Sequence, residues 1–380
     1  MKTKKTEKTQ DQDEECDSKQ NAKILTAAIV QAELSEKLSG LYLPTYESMT
    51  VAAAREISRY GEYVDLSDIS SMTDEIYRAL VRKIPHHRGQ ELYSGSGMNL
   101  SGLKSLPVNG ARALSKYAGN ELVLNGLNQI SIESAKALGR FGGNLRLNGI
   151  KRLSAEAAAG LANNQKRLTL NGLKELTPEV AQSLSKHQGR LALSGVESLT
   201  PETARAISAH SGRISLNGIS ECTAETAMAF ANHRGYLGLA GLKDCDDALA
   251  QAFAGHAGPL SLSGIRSLSE QAAGYLAKHR GRQLSLARLS KVSQEAIQLL
   301  AQYDGELTLN RIGEISDETA EALAKHRGGI LSLYGLRKLS AKAASSLMYH
   351  VRPLLVHPEV YAYMEHSWRE QKRKSNRERS

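Results

Sequence analysis

A unit of 23 residues recurs along most of this chain. Leu168 to Gly189 reads LTLNGLKELTPEVAQSLSKHQG, and Leu191 to Gly212 reads LALSGVESLTPETARAISAHSG. A unit this short cannot bury its own apolar stripe, so it is stable only when stacked on copies of itself. Anchored on the second leucine of Leu-x-Leu, the copies fall at Leu43, Leu66, Leu100, Leu124, Leu147, Leu170, Leu193, Leu216, Leu239, Leu262, Leu286, Leu309 and Leu333. The spacing is 23 or 24 residues, apart from 34 between Leu66 and Leu100, where the segment around 86–98 is inserted. Val356 lies 23 residues beyond Leu333, so residues 354–356 read as a last, degenerate strand. About thirteen repeats and a closing strand result.

Each unit reads as strand, turn, helix and loop. Leu168 and Leu170 alternate with Thr169, the period of a strand with one buried face. Asn171-Gly172 and Ser194-Gly195 are turn signals. Ser131, Ser154, Thr177, Thr200, Thr223, Ser269, Ser293, Ser316 and Ser340 stand where helix N-caps are needed. Pro178 and Pro201 follow at the first helical position, and Glu156, Glu179, Glu202 and Glu225 bring negative charge to the first turn. Gly189, Gly212 and Gly235 are expected to end their helices in the glycine-favoured conformation. Stacking such units gives an α/β solenoid with a parallel sheet on one side and short helices on the other. Fourteen strands at about 4.8 Å make a sheet roughly 60–65 Å long. Helices need about 8–10 Å each, which makes the strand face the concave one.

The Leu-x-Leu strand, the leucines after it and the helical return resemble the leucine-rich repeat family over about residues 41–356. That family carries Asn or Cys three residues after the second strand leucine. Here the position holds Leu173, Val196, Ile219 or Leu242, so the chain resembles an atypical, bacterial-like 23-residue subclass without the buried asparagine ladder. The resemblance implies a partner held on the concave strand face. It implies no catalysis and no cofactor.

Outside the repeats, residues 1–21 read as a polar disordered tail and 22–40 as an N-terminal capping helix. Residues 357–380 read as a C-terminal cap, built on Tyr361, Tyr363 and Trp368, with a basic tail. Segment 366–380 carries six Lys/Arg against two Glu, a net +4 of the chain's +9. No run approaches the ~18 apolar residues of a membrane span, and the first twenty residues lack a signal-peptide core. Three cysteines do not make a disulfide framework. The expected location is the cytoplasm.

Several columns carry side chains capable of chemistry. His187, His210, His233, His256 and His279 occupy one position in five successive repeats. The same column holds Tyr60, Tyr117, Phe141, Asn164 and Tyr303, and phenylalanine ligates no metal, so the position reads as a flat structural plug. Cys222 and Cys245 stand in a core column and read as buried thiols. The Ser/Thr and Glu pairs recur as caps, so no catalytic set is assigned.

The outward column three residues before the anchor is more informative. It runs Glu121, Asn144, Arg167, Arg190, Arg213, Tyr236, Pro259, Gln283, Glu306. Three neighbouring arginines repel one another, which hints at an anionic partner. Arg146 lies outward one strand earlier, and Arg288 and Arg311 replace the turn glycine in two successive repeats. Arg146, Arg167, Arg190, Arg213, Tyr236, Arg288 and Arg311 are therefore the expected partner-binding residues. The function expected is a non-enzymatic scaffold that binds a protein partner, without cofactor or metal. Nucleic acid or another polyanion, bound through the basic strip and the C-terminal tail, is the alternative. No pattern sets an oligomeric state.

Overall fold

The computed structural model describes residues 23–36, 40–43, 45–81 and 96–378, with side chains as far as 374. The expected tail over 1–21 with Cys16, and most of the 86–98 insertion with His86 and His87, lie outside these residues.

The strands are β1 Ile24–Leu25, β2 Leu41–Tyr42, β3 Ser48–Met49, β4 Val64–Asp65, β5 Gly97–Asn99, β6 Glu121–Val123, β7 Asn144–Arg146 and β8 Leu168–Thr169. They continue as β9 Leu191–Ala192, β10 Ile214–Ser215, β11 Leu237–Gly238, β12 Leu260–Ser261, β13 Gln283–Ser285, β14 Glu306–Thr308, β15 Leu331–Ser332 and β16 Leu354–Leu355. The helices used below are α1 Ala27–Glu36, α2 Val51–Ile57, α3 Asp74–Leu80 and α4 Val108–Leu114, then one of six to eight residues per repeat. The last repeat helix is α14 Ala341–Met348, and α15 Pro358–Glu378 follows it. All strands except β1 and β3 form one fourteen-stranded sheet in strict chain order, every pair parallel. Register advances by one repeat at each step: Leu168 pairs with Leu191, which pairs with Ile214, which pairs with Leu237. This is an α/β solenoid of leucine-rich-repeat-like units.

The columns explain the stack. Leu168, Leu170, Leu193, Leu216 and Leu239 are fully buried, and each contributes roughly 1.5–3 kcal/mol by leaving water. Ala135, Ala158, Ala181, Ala204 and Ala227 are likewise buried and let successive helices approach closely. Tyr77 interrupts that column at α3. The next helix answers with Gly110, where a Cβ would stand 2.8 Å from the Tyr77 ring. All nine expected caps are formed; the Thr200 hydroxyl, for example, accepts from the Thr203 N–H at 3.1 Å.

The glycines behave differently from the sequence reading. Among the described glycines only Gly40 and Gly329 have a left-handed φ. The turn of each repeat is closed by a bond such as Leu173 N–H to Leu170 C=O, 3.2 Å, and needs no positive φ. Glycine is required because turns stack: a Cβ on Gly172 would lie 2.1 Å from the Asn148 carbonyl oxygen of the preceding repeat. Gly189 similarly lies against the Lys166 carbonyl, where a Cβ would stand at 1.7 Å, so it is a stacking glycine and not a left-handed helix terminator. Asn is required for a related reason. The Asn148 side-chain oxygen accepts the Asn171 N–H at 3.1 Å, and Asn171 accepts that of Ser194 at 2.9 Å. An asparagine ladder therefore exists one residue after the anchor, at the surface, in place of the buried ladder of the usual leucine-rich repeat. Next to the repeats in which Arg288 and Arg311 replace the glycine, the loops after the turn also pair. Lys291 N–H donates to the Arg266 carbonyl at 2.8 Å, and Arg337 N–H to that of Gly313 at 2.9 Å.

At the first end β1 pairs with β3 outside the main sheet, and α1 packs on α2 with Leu25 and Val30 buried. At the other, α15 packs on α14. Its inward face is Val360, Met364 and Ser367, whereas Tyr361 and Tyr363 are exposed and Trp368 is half-buried beneath Lys372. Heptad spacing, not aromatic content, selects the buried face.

A Gly172→Ala substitution is expected to destabilise the chain by about 2–3 kcal/mol, because backbone must move to admit the methyl group. Gly313→Ala, at a position with nothing within 4 Å of a new Cβ, is expected to stay within about 0.5 kcal/mol of the parent. Urea unfolding followed by circular dichroism checks both.

Candidate functional site on the strand face

A groove of about 410 Å³ crosses strands β7 to β10 on the outward face of the sheet. Its geometry follows from the repeat. Residues one strand apart are in register, so Arg167, Arg190 and Arg213, each just before its strand, form one row about 4.8 Å from neighbour to neighbour. Two residues further along, Thr169, Ala192 and Ser215 form a floor of small side chains. Beyond the floor, Asn148, Asn171, Ser194 and Asn217 form the opposite wall.

The charges are unevenly partnered. Arg146 Nε donates to Glu121 Oε1 at 2.8 Å, which closes one end. The Arg213 guanidinium lies over the Tyr236 ring, 3.5 Å from its centroid, which closes the other. Arg167 and Arg190 are exposed and have no carboxylate partner among the described residues. No acidic side chain lines the groove. The asparagine ladder adds to this polarity. Each Asn side-chain oxygen is occupied by the next repeat's N–H, which leaves the NH₂ group of Asn148, Asn171 and Asn217 free to donate. The groove therefore offers guanidinium and amide donors, beside the hydroxyls of Thr169, Ser194 and Ser215.

Arg146, Arg167, Arg190, Arg213 and Tyr236 are thus brought together. Arg288 and Arg311 are exposed but follow β13 and β14, three and four strands beyond Arg213, and do not line the groove. Asn148, Asn171 and Asn217 were missed as site residues. Their recurrence beside the turn glycine was the available signal.

The histidine column is a buried stack. His187 and His210 have ring centroids 5.8 Å apart with planes at 18°, and His256 and His279 repeat this at 5.8 Å and 15°. Rings stacked face to face do not converge on a point about 2.0–2.1 Å from each nitrogen, as zinc requires. No group of three His, Cys, Asp or Glu side chains among the described residues has metal-binding geometry. The rings cover backbone instead: His279 Nδ1 faces the Phe253 carbonyl at 3.2 Å and its Nε2 faces that of Gly258 at 3.1 Å. Asn164 does the same work, donating to Phe141 and Gly143 carbonyls at 2.8 and 3.1 Å. Burial, reinforced by a neighbouring imidazole, pushes His187 down to about 4; burial likewise takes His210 and His256 to about 4. Cys245 is buried as expected and Cys222 only half-buried; both are free thiols, held protonated because burial raises them to about 12 and about 11.

The histidines set a pH dependence of stability. Their folded pKa is depressed below the ordinary 6.5, so the unfolded chain takes up protons first as pH falls. The histidine contribution to stability is constant above about pH 7 and is lost as pH drops from 6.5 towards 4. Each buried imidazole contributes up to about 1.4 kcal/mol per pH unit to the slope. Neither ring nitrogen of His187 has a hydrogen-bond partner, so His187→Phe, which copies Phe141 of the same column, is expected to make the fall shallower. Urea midpoints between pH 7.5 and 5 measure it.

No family model and no curated protein matches the chain. An internalin from Listeria monocytogenes is a structural match at 15% identity and a TM-score of 0.47, covering 87% of this chain and 93% of that one. The Drosophila Toll–Spatzle complex matches at 13% identity and a TM-score of 0.44, covering 77% of this chain and 44% of that one. Likenesses this distant carry no information on function, and the functional reading rests on the groove.

Proposed function

We propose that this chain is a non-enzymatic scaffold that holds a protein partner on its strand face, centred on Arg167, Arg190, Arg213 and Tyr236. The observation that carries the reading is the unpaired arginine row on an otherwise small and polar face. Stacking does not call for arginine in that column, and neighbouring like charges oppose it. Arg and Tyr are the side chains most often responsible for binding energy at protein interfaces. The Ser/Thr column and the five successive histidines are committed to caps and to the buried stack. The free thiols of Cys222 and Cys245 fit a reducing compartment, and we place the scaffold in the cytoplasm. Among the described residues no helix is long and apolar enough to cross a membrane.

A second reading has its own observation. Arg369, Lys372, Arg373 and Lys374 are exposed on one end of α15, a surface suited to nucleic acid or another polyanion.

Replacing Arg167, Arg190 and Arg213 together by Ser is expected to abolish capture of the protein retained by the wild-type chain. The melting temperature should move by no more than about 2 °C, because exposed charges contribute little to folding. Capture is assayed from native lysate with and without nuclease. Retention by the triple variant, or a large fall in its melting temperature, overturns the strand-face reading. Retention that disappears with nuclease favours the basic helix.

A further inference from the structure

We propose that the groove recognises a short, extended, carboxylate-rich segment of a protein partner, laid across strands β7 to β10 perpendicular to them. The proposal rests on the scaffold reading above and specifies the chemistry of what is held.

Length comes first. Arg146 to Arg213 spans three strand steps, about 14 Å. An extended chain covers that with about four residues. Alternate side chains of such a segment face the floor and the arginine wall in turn, and Thr169, Ala192 and Ser215 are small enough to admit its backbone. The basic stretch does not continue. On one side stand Glu121, beside Arg146, and Asp65 two strands beyond it; on the other, Tyr236 and Pro259 precede Gln283 and Glu306. A long polyanion would run from the arginines into carboxylates. A short acidic stretch would not.

Functional groups come second. Guanidiniums bind carboxylates through paired N–H donors, and the free NH₂ groups of Asn148 and Asn171 add donors on the facing wall. Nucleic acid would need rings on which bases stack. None of the described residues lining the groove is aromatic, and Tyr236, at its end, already has one face covered by Arg213 at 3.5 Å.

The test uses the full chain at low ionic strength, where exposed charges act most strongly. Binding is read by fluorescence polarisation of labelled probes: a hexapeptide of alternating aspartate and glutamate, its asparagine–glutamine counterpart, a twelve-residue acidic peptide, and a ten-nucleotide oligothymidylate. The acidic hexapeptide is expected to bind at least tenfold more tightly than its amide counterpart. Binding should weaken at least tenfold in the R167S/R190S/R213S variant, and doubling the peptide length should improve it less than threefold. Tighter binding of oligothymidylate, or an undiminished hexapeptide affinity in the triple variant, overturns the proposal.

The chain carries its own acidic run at Asp11, Asp13, Glu14, Glu15 and Asp17. A variant with these five neutralised, D11N/D13N/E14Q/E15Q/D17N, is measured alongside. If the hexapeptide binds that variant alone, the occupant is the chain's own run and the assignment to a partner fails. Hydroxyl-radical footprinting of the captured partner complex separates the two levels. Protection of 167–213 without hexapeptide binding sinks the acidic segment and leaves the scaffold; protection at neither sinks both.

Discussion

Turn stacks on turn so closely that one additional carbon on Gly172 or Gly195 would overlap carbonyl oxygens of the repeat before. Everything on the strand face depends on that contact. It fixes the separation of neighbouring repeats at strand spacing, and the Asn148–Asn171–Ser194 ladder fixes their register from the same place. With spacing and register set, any residue type that recurs at one position becomes a straight row of like groups. The helix side then follows, because helices can keep step with strands only where columns such as Ala181 and Ala204 allow close approach.

A row of like groups at this spacing has different consequences inside and outside. The buried histidines give up their charge: desolvation holds His187, His210 and His256 neutral through ordinary pH, and the stacked rings become packing surface. Arginine has no such escape, because its guanidinium stays protonated in proteins. The row at Arg167 and Arg190 must either remain in water or meet an anion. The groove's two outer arginines show the accommodations the chain itself provides: a carboxylate at Arg146, which stands in the column of Thr169, and an aromatic face at Arg213. The two arginines between them have neither.

Local chemistry was legible in the sequence, and chemistry between repeats was not. A serine or threonine cap acts within four residues, so Thr177 or Ser293 can be placed without knowing the neighbours. The turn glycines were placed correctly but for the wrong reason. Their cause is a carbonyl usually 24 residues earlier in the chain, such as that of Asn148 against Gly172, and a one-dimensional pattern does not show that approach. The same limit hid the asparagine ladder, which looked like part of a turn signal. At α15 the aromatic content drew attention to Tyr361 and Tyr363. The helix instead buries Val360, Met364 and Ser367, which share a stripe. On the strand face the arginine row was legible because period two assigns Arg167 and Thr169 to the outward side without further information. Arg288 and Arg311 were joined to it by charge alone, and the strand order separates them from it.

Repetition also supplies an internal control for deciding which residues the fold needs. Columns that the stack requires vary little along the chain: leucine at the anchor, small residues inside the helices, serine or threonine at the caps. The column three residues before the anchor is under no demand for one residue type: it varies from Glu121 to Asn144 to Tyr236 to Pro259, and from Glu121 to Glu306 only its three arginines are exposed. Three consecutive arginines stand in this column between Asn144, whose side-chain oxygen accepts the Arg167 N–H at 3.2 Å, and Tyr236, whose ring Arg213 covers, and stacking does not call for such a run of like charge. Removing them should therefore leave the solenoid standing while changing what it can hold. That separation of stability from binding is what distinguishes a site carried by a scaffold from a feature of the scaffold itself.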